Sequence, residues 1–260
     1  MKKWKMVWVF LLLGVIFLGA SFYARFPEDL CRRIVTYTIS TRYSIPQVSV
    51  GSCRPVFPLG VRLTHLVFPL PLAMSGAEVE VQELVLKPMI SFVWGRPAFR
   101  WFASFLGGRL DGIARGTGQM TGEVRFDGLN LDNQVLRSIF RREVRGKVKG
   151  KLILQGNGLA QMSFSLNHGF YQLFLPGFSG LEINDAEGKV SFEKSLLLIE
   201  KVEVLNPSLR GRLKGVITPC WQALENSRLD LTWELESPHT GKTVNVIQGT
   251  IDTPFLTTRP

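Results

Sequence analysis

The chain has little of what catalytic or metal-binding readings require. It holds three cysteines and three histidines, with no Cys-x-x-Cys and no His-Glu-x-x-His spacing. Cys31, Cys53 and Cys220, with His65, His168 and His239, are too dispersed for a zinc cage, which needs ligands paired at short spacing. No Walker loop occurs. The glycine string from Gly116 to Gly122 lacks the spacing of a dinucleotide cradle, and no helical pattern follows it. Around Ser179 a glycine stands two residues before but not two residues after, so Pro176 to Gly180 is not a nucleophile elbow. These absences predict no cofactor, no metal and no local catalytic motif; an enzyme would need a constellation assembled in space. Acidic residues are also scarce, 21 against 31 basic ones, for a net charge of +10. Such an excess suits anionic headgroups or an acidic partner, or simply keeps a β-rich surface soluble.

What the chain does have begins at its first residues. Lys2, Lys3 and Lys5 precede an uncharged run from Val7 to Ala24. At about 1.5 Å per residue those roughly 18 residues reach about 27 Å as a helix, the thickness of a bilayer core. Val7, Phe10, Leu12, Val15, Phe17 and Leu18 make it apolar on every side, as lipid demands when no water satisfies the backbone. Trp4, Trp8 and Tyr23 stand near its ends, where amphipathic rings favour headgroups. The lysines place the N-terminus in the cytoplasm, although Arg25, Arg32 and Arg33 weaken the contrast across the run. A cleaved signal peptide is the rival reading. It needs small residues at both positions −3 and −1, and the candidates carry Leu18 or Phe22 at −3. An exported chain meets little nucleic acid, so none is expected as a partner.

Past the run, Pro27 to Ile39 reads as a short helix. Pro27 suits its first turn, Glu28 and Asp29 suit its positive end, and Leu30, Ile34 and Val35 are assigned one face. Such a helix either lies on the membrane surface or packs on the domain. From Gln47 onward the period changes to two. Gln47–Val50, Val61–Leu66 and Ala77–Val81 alternate, as do Glu123–Phe126, Lys151–Leu154, Gln161–Leu166, Lys189–Phe192 and Arg228–Leu235. Strict alternation predicts strands with one dry and one wet face. Ser195 to Val204 and Val244 to Ile251 read as further strands. Pro55, Pro58, Pro69 and Pro71 mark turns or edges between the first of them. A second helix is expected from Asp132, as its cap, to Phe140. The aromatic stretch Pro88 to Leu106 reads as a core-filling helix or groove lining, with an interfacial segment as the alternative.

A short pattern recurs: Gly108-Arg-Leu-Asp-Gly112, Gly146-Lys-Val-Lys-Gly150 and Gly211-Arg-Leu-Lys-Gly215. At period two, the glycines and the central apolar residue share one face while the base and the fourth residue share the other. Glycines within strands permit the bulges and close approaches that bend a sheet. The expected fold is therefore mainly β: an N-terminal transmembrane helix, then a curved, mostly antiparallel sheet with a few short helices. Residues 1–5 form a cytoplasmic tip, 6–24 the membrane helix, 25–45 a juxtamembrane helix and linker, 46–252 the β domain and 253–260 a loose tail. Leu110, Val148, Leu152, Leu154 and Leu213 are candidates to line an apolar groove. Arg141, Arg142, Arg145, Lys147, Lys149 and Lys151, close behind Arg137, are candidates for a surface that meets acidic lipid or an acidic partner; a merely solvated outer face is the alternative. One disulfide is compatible with three cysteines, Cys31–Cys53 closing the shortest loop; three unpaired thiols are equally compatible.

Together the basic tip and single span, Phe26-Pro27-Glu28-Asp29-Leu30, Leu59-Gly60-Val61-Arg62-Leu63, the strand Val79 to Pro88 and the glycine-punctuated strands resemble the N component of type II secretion systems, GspN. The glycine-bounded strands and the closing Gly249-Thr250-Ile251-Asp252-Thr253-Pro254 are also similar to the wider AsmA-type β-groove proteins. The resemblance implies a bacterial inner-membrane anchor with a periplasmic β domain, a structural role beside other secretion-system or envelope proteins, and no enzymatic activity. The AsmA likeness implies instead a module that binds or transfers phospholipid.

Overall fold

Every stretch that alternates in the sequence lies in or overlaps a strand, because a half-dry extended segment is stable only beside another. The computed structural model describes residues 13, 14, 17, 19–21, 23–42, 47–57, 59–69, 78–89, 97–116, 121–140, 143–171, 181–193, 195–206, 209–220, 226–237, 241–251 and 253–259. The strands are β1 (Ser49–Val56), β2 (Gly60–Pro69), β3 (Glu78–Pro88), β4 (Ala98–Phe105), β5 (Gly108–Arg115), β6 (Thr121–Asn130), β7 (Val144–Leu154), β8 (Ala160–Tyr171), β9 (Leu181–Glu193), β10 (Leu196–Asn206), β11 (Leu209–Thr218), β12 (Arg228–Ser237), β13 (Gly241–Thr250) and β14 (Pro254–Arg259). They form one 14-stranded sheet in the order of the chain, each strand antiparallel to the next, with β1 and β14 at its two edges. The register shifts at irregularities in several pairs, including Arg145/Lys147 in β7 and Phe126/Leu129 in β6. At the first of these Gly146 has φ 131° and His168 φ 50°. An extra residue at such a point bends the strand and raises its twist.

Besides the helical residues described between 13 and 24, two helices accompany the sheet among the described residues. Helix α1 (Glu28–Arg42) begins one residue after Pro27, with Glu28 and Asp29 in its first turn. It packs on β1, and the Cys31–Cys53 disulfide fastens it there. Its expected single apolar face is divided. Val35 turns to the sheet with Cys31 and Ile39, whereas Leu30 and Ile34 are exposed. Helix α2 (Gln134–Phe140) is capped by Asn133 and not by Asp132. The Asn133 Oδ1 accepts from the Val135 backbone N–H at 2.8 Å, while Asp132 is engaged by Arg137.

Three other expectations meet the structure differently. The aromatic stretch, where described, is no helix: Ala98–Phe105 is strand β4, hydrogen-bonded between β3 and β5. Phe102 lies on the opposite side of that strand from Trp101, with Arg100 stacked 4.8 Å from its ring centroid, so both sides are aromatic. Pro254–Arg259, expected to be loose, pairs with β13 as the last strand. No helix among the described residues is long and apolar enough to cross a membrane. Of the anchor positions only Phe17 is described, helical and exposed; Val7, Phe10, Leu12, Val15 and Leu18 lie outside the described residues, as do Arg141, Arg142, residues 90–96 and the Ser179 segment.

Two clusters of buried side chains stand out among the described residues, with Val79, Val85, Ala98, Ala103, Ala186, Val204 and Val246 buried outside them. One joins α1 to β1–β3 through Val48, Val50, Cys53, Leu63 and Leu66. The other centres on Val190, Ile199 and Leu231 and draws in residues of β8 to β13. Strands β4 to β7 contribute to neither cluster.

Candidate functional site

Directly paired residues of neighbouring strands share a face, so the register can be followed across the whole sheet. One such row runs Pro55, Val61, Leu86, Trp101, Gly112, Val124, Leu152, Met162, Val190, Ile199, Gly215, Leu231, Ile247, Leu256. It crosses all 14 strands and contains no polar side chain. The next row, from Cys53 and Leu63 through Leu84, Ala103, Leu110, Phe126, Gly150, Phe164, Gly188, Val202 and Leu213 to Trp233, is equally free of them. These rows are the principal feature of the molecule.

At several points along the rows a glycine stands directly opposite an aromatic ring. The Trp101 ring lies directly over Gly112, where an added Cβ would sit 2.3 Å from ring carbon. Phe126 covers Gly150 and Phe164 covers Gly188 in the same way. Gly112, Gly150 and Gly188 thus seat cross-strand rings against the backbone, which flattens a bulky face into a continuous one.

All five candidate lining residues fall on this face. Leu110 and Leu213 are in the second row, Leu152 in the first, and Leu154 and Val148 flank them, paired with Gly122 and Leu129. Over β4 to β7 the floor made by Trp101, Leu110, Val124, Phe126 and Leu152 is half-buried, and Leu154 is 37 % exposed. At the β1 end α1 covers the face; at the β14 end Leu256 is exposed.

The opposite face is charged. Arg54, Arg62, Arg125, Lys151, Lys189 and Lys201 stand on one of its rows. Glutamates neutralise part of it. Lys151 lies 3.0 Å and Arg125 2.9 Å from Glu123; Lys201 lies 2.8 Å and Arg212 2.9 Å from Glu203; Lys242 and Lys214 lie 3.2 and 3.4 Å from Glu234. Hydrogen bonds from Lys151, Lys201 and Lys242 respectively, then from the second cation of each group, hold these three carboxyls below the usual carboxylate range.

The structure divides the predicted basic cluster accordingly. Arg145 is bonded to Glu143 and stacks 5.5 Å from the Phe170 ring centroid; Lys151 is paired with Glu123. Lys147 and Lys149 are exposed and have no ion-pair partner among the described residues. They line an open cleft of about 500 Å³ together with Asp127, Asp132 and His168. A second cleft, of about 580 Å³, separates α1 from the start of β1, with Asp29, Arg32, Arg33 and Tyr37 on one wall and Val48 and Val50 on the other. Sequence reasoning did not find it, because its two walls are brought together only by the docking of α1.

Among the described residues no three His, Cys, Asp or Glu side chains are grouped as metal ligands. No protein-family model, curated protein or solved structure matches this chain.

Proposed function

We propose that this chain is a membrane-anchored envelope protein whose sheet carries acyl chains of phospholipid along its apolar face. The observation that supports this is the row of 14 residues without one polar side chain. A monomeric water-soluble sheet rarely leaves a continuous apolar band uncovered, because each square ångström withheld from water is worth about 25 cal/mol. At about 4.8 Å between strands the band is about 62 Å long, and bending at the bulges makes it a trough. The buried clusters at α1–β3 and β8–β13 leave β4 to β7 as the accessible floor. Hydrocarbon suits that floor: it needs no hydrogen bonds, and the floor offers no side-chain partner for any except the Trp101 indole N–H. The run from Val7 to Ala24 would hold the protein in the inner membrane, with the sheet in the periplasm.

A photoreactive phenylalanine analogue tests the reading in cells. Introduced at Leu110 or Leu152 it should yield phospholipid adducts; at Lys149 or Lys189, on the charged face, it should not. Equal labelling of the two faces, or none at Leu110 and Leu152, would refute it.

A second reading, a tethering component of a type II secretion apparatus, draws support from a different observation. β14 is an edge strand, and Phe255 and Leu256 on it are exposed. Such an edge accepts a strand from another envelope protein. Protein adducts at Thr257, with no lipid adducts on the apolar face, would favour it.

A further inference from the structure

We infer that α1 lies flat on an anionic bilayer surface, its outer stripe in the acyl boundary and Arg33 among the headgroups. The stripe is Leu30, Ile34 and Tyr37, at i, i+4 and i+7, exposed by 56 %, 55 % and 70 %. That spacing puts three large side chains on one line of a helix. The sheet cannot cover them. Cys31, Val35 and Ile39 occupy the sheet-facing side, and the Cys31–Cys53 bond prevents the helix from rolling over. The helix is therefore apolar on two sides, one already filled.

Chain continuity and charge identify what fills the other. Only Arg25, Phe26 and Pro27 separate the apolar run from α1, and Leu13 and Phe17 within the run are themselves exposed. A helix that begins three residues after a membrane segment stays within reach of its surface. Of the two acidic groups in its first turn, Glu28 Oε1 accepts the Cys53 backbone N–H at 3.2 Å and Asp29 lies 3.9 Å from Arg32. Arg33 has no ion-pair partner among the described residues. Both arginines line the cleft between α1 and β1, and of the two Arg33 flanks the stripe, about 65° around the helix at about 100° per residue, within reach of headgroup phosphate if Leu30 and Ile34 enter the acyl boundary. An aqueous protein partner would not need to lie so close to the run, so the bilayer is the occupant to which these features point. The arrangement sets the covered end of the sheet against lipid and shares with the proposed function only the premise that residues 7–24 enter a bilayer.

The full-length protein, reconstituted in nanodiscs of phosphatidylglycerol and phosphatidylcholine, carries a fluorescent amino acid at position 34 or, as control, at position 149. Lipids with a nitroxide near the headgroup should quench position 34 several-fold more than position 149, and Arg33→Gln should lower that quenching. Non-reducing electrophoresis confirms that each variant keeps its Cys31–Cys53 bond. Quenching at 34 no stronger than at 149 would overturn the inference. Retention of that same protein in the disc would show that the anchor stands, and lipid adducts at Leu152 report separately on the apolar face.

Discussion

Gly112→Ala tests whether cross-strand rings need the glycines beneath them. In β5 an alanine Cβ at 112 would lie 2.3, 2.5 and 2.5 Å from three atoms of the Trp101 ring, and no backbone atom is nearer. Contact at that distance is not tolerated, so the indole must leave its seat or the strands must part. Overpacking of this kind costs about 1–3 kcal/mol. Replacing glycine by alanine also removes unfolded-state entropy, which returns about 0.4–1 kcal/mol where the backbone accepts a side chain. The net expectation is a loss of roughly 1–2 kcal/mol from these two effects. With Trp101→Val the obstacle is gone, and the same Gly112→Ala change should then be neutral or stabilising. The double-mutant cycle therefore predicts a coupling of about 1–3 kcal/mol between two residues that share one cross-strand pair. Because long arrays of strands need not unfold in one step, amide hydrogen exchange in β4, β5 and β6 is the primary measurement, with urea unfolding followed by circular dichroism beside it. An equal cost of Gly112→Ala in both backgrounds would refute the seating argument. So would a gain in stability in the wild-type background.

Two further outcomes follow from the fastening of α1 and from the charged face. Cys31→Ser should release α1, since the bond closes a separation of 22 residues and such a loop is worth about 3 kcal/mol. Exchange in α1 and β1 should rise while β8 to β13 stay unchanged, and uniform loosening would contradict the separation of the two clusters. Glu123, Glu203 and Glu234 titrate below their unfolded values, so their contribution is complete above the ordinary glutamate range and disappears as pH falls through that range to their depressed values. Urea midpoints should therefore fall between about pH 5 and pH 3, and Glu203→Gln should flatten that dependence; an unaltered slope would mean that the triads contribute nothing measurable.

The legible part of this fold is the part governed by alternation. β7, β8 and β12 alternate over most of their length because one side of each is greasy and the other polar, and the three glycine-bounded segments share faces in the register that their spacing predicts. β4 leaves a core helix, groove lining and an interfacial segment all open in sequence because its polar side carries Phe102, held beneath Arg100, and the alternation vanishes when both sides are aromatic; Trp101 on its other side stands in the apolar row. The α2 cap went to Asp132 because aspartate and asparagine serve equally well; the choice was decided by Arg137, which engages Asp132. β14 was missed because Thr257, Thr258 and Arg259 resemble an unstructured end, and only pairing with Val246, Asn245 and Val244 makes them a strand. The candidate lining was visible as five apolar positions, but its continuity was not. No single segment shows that its apolar residues fall in register with those of 13 others. The partner of Lys151, Glu123 on β6, likewise comes from a residue whose approach the local pattern does not encode, whereas Glu143 stands only two residues before Arg145.

A sheet in which every strand hydrogen-bonds only to the one before and the one after has an uncommon relation to time. Each hairpin can close on what has already arrived, without waiting for residues still to be delivered. Such a chain can fold in the order of its synthesis. Evolution can likewise lengthen or shorten it by whole hairpins, changing the reach of the molecule without redrawing its architecture.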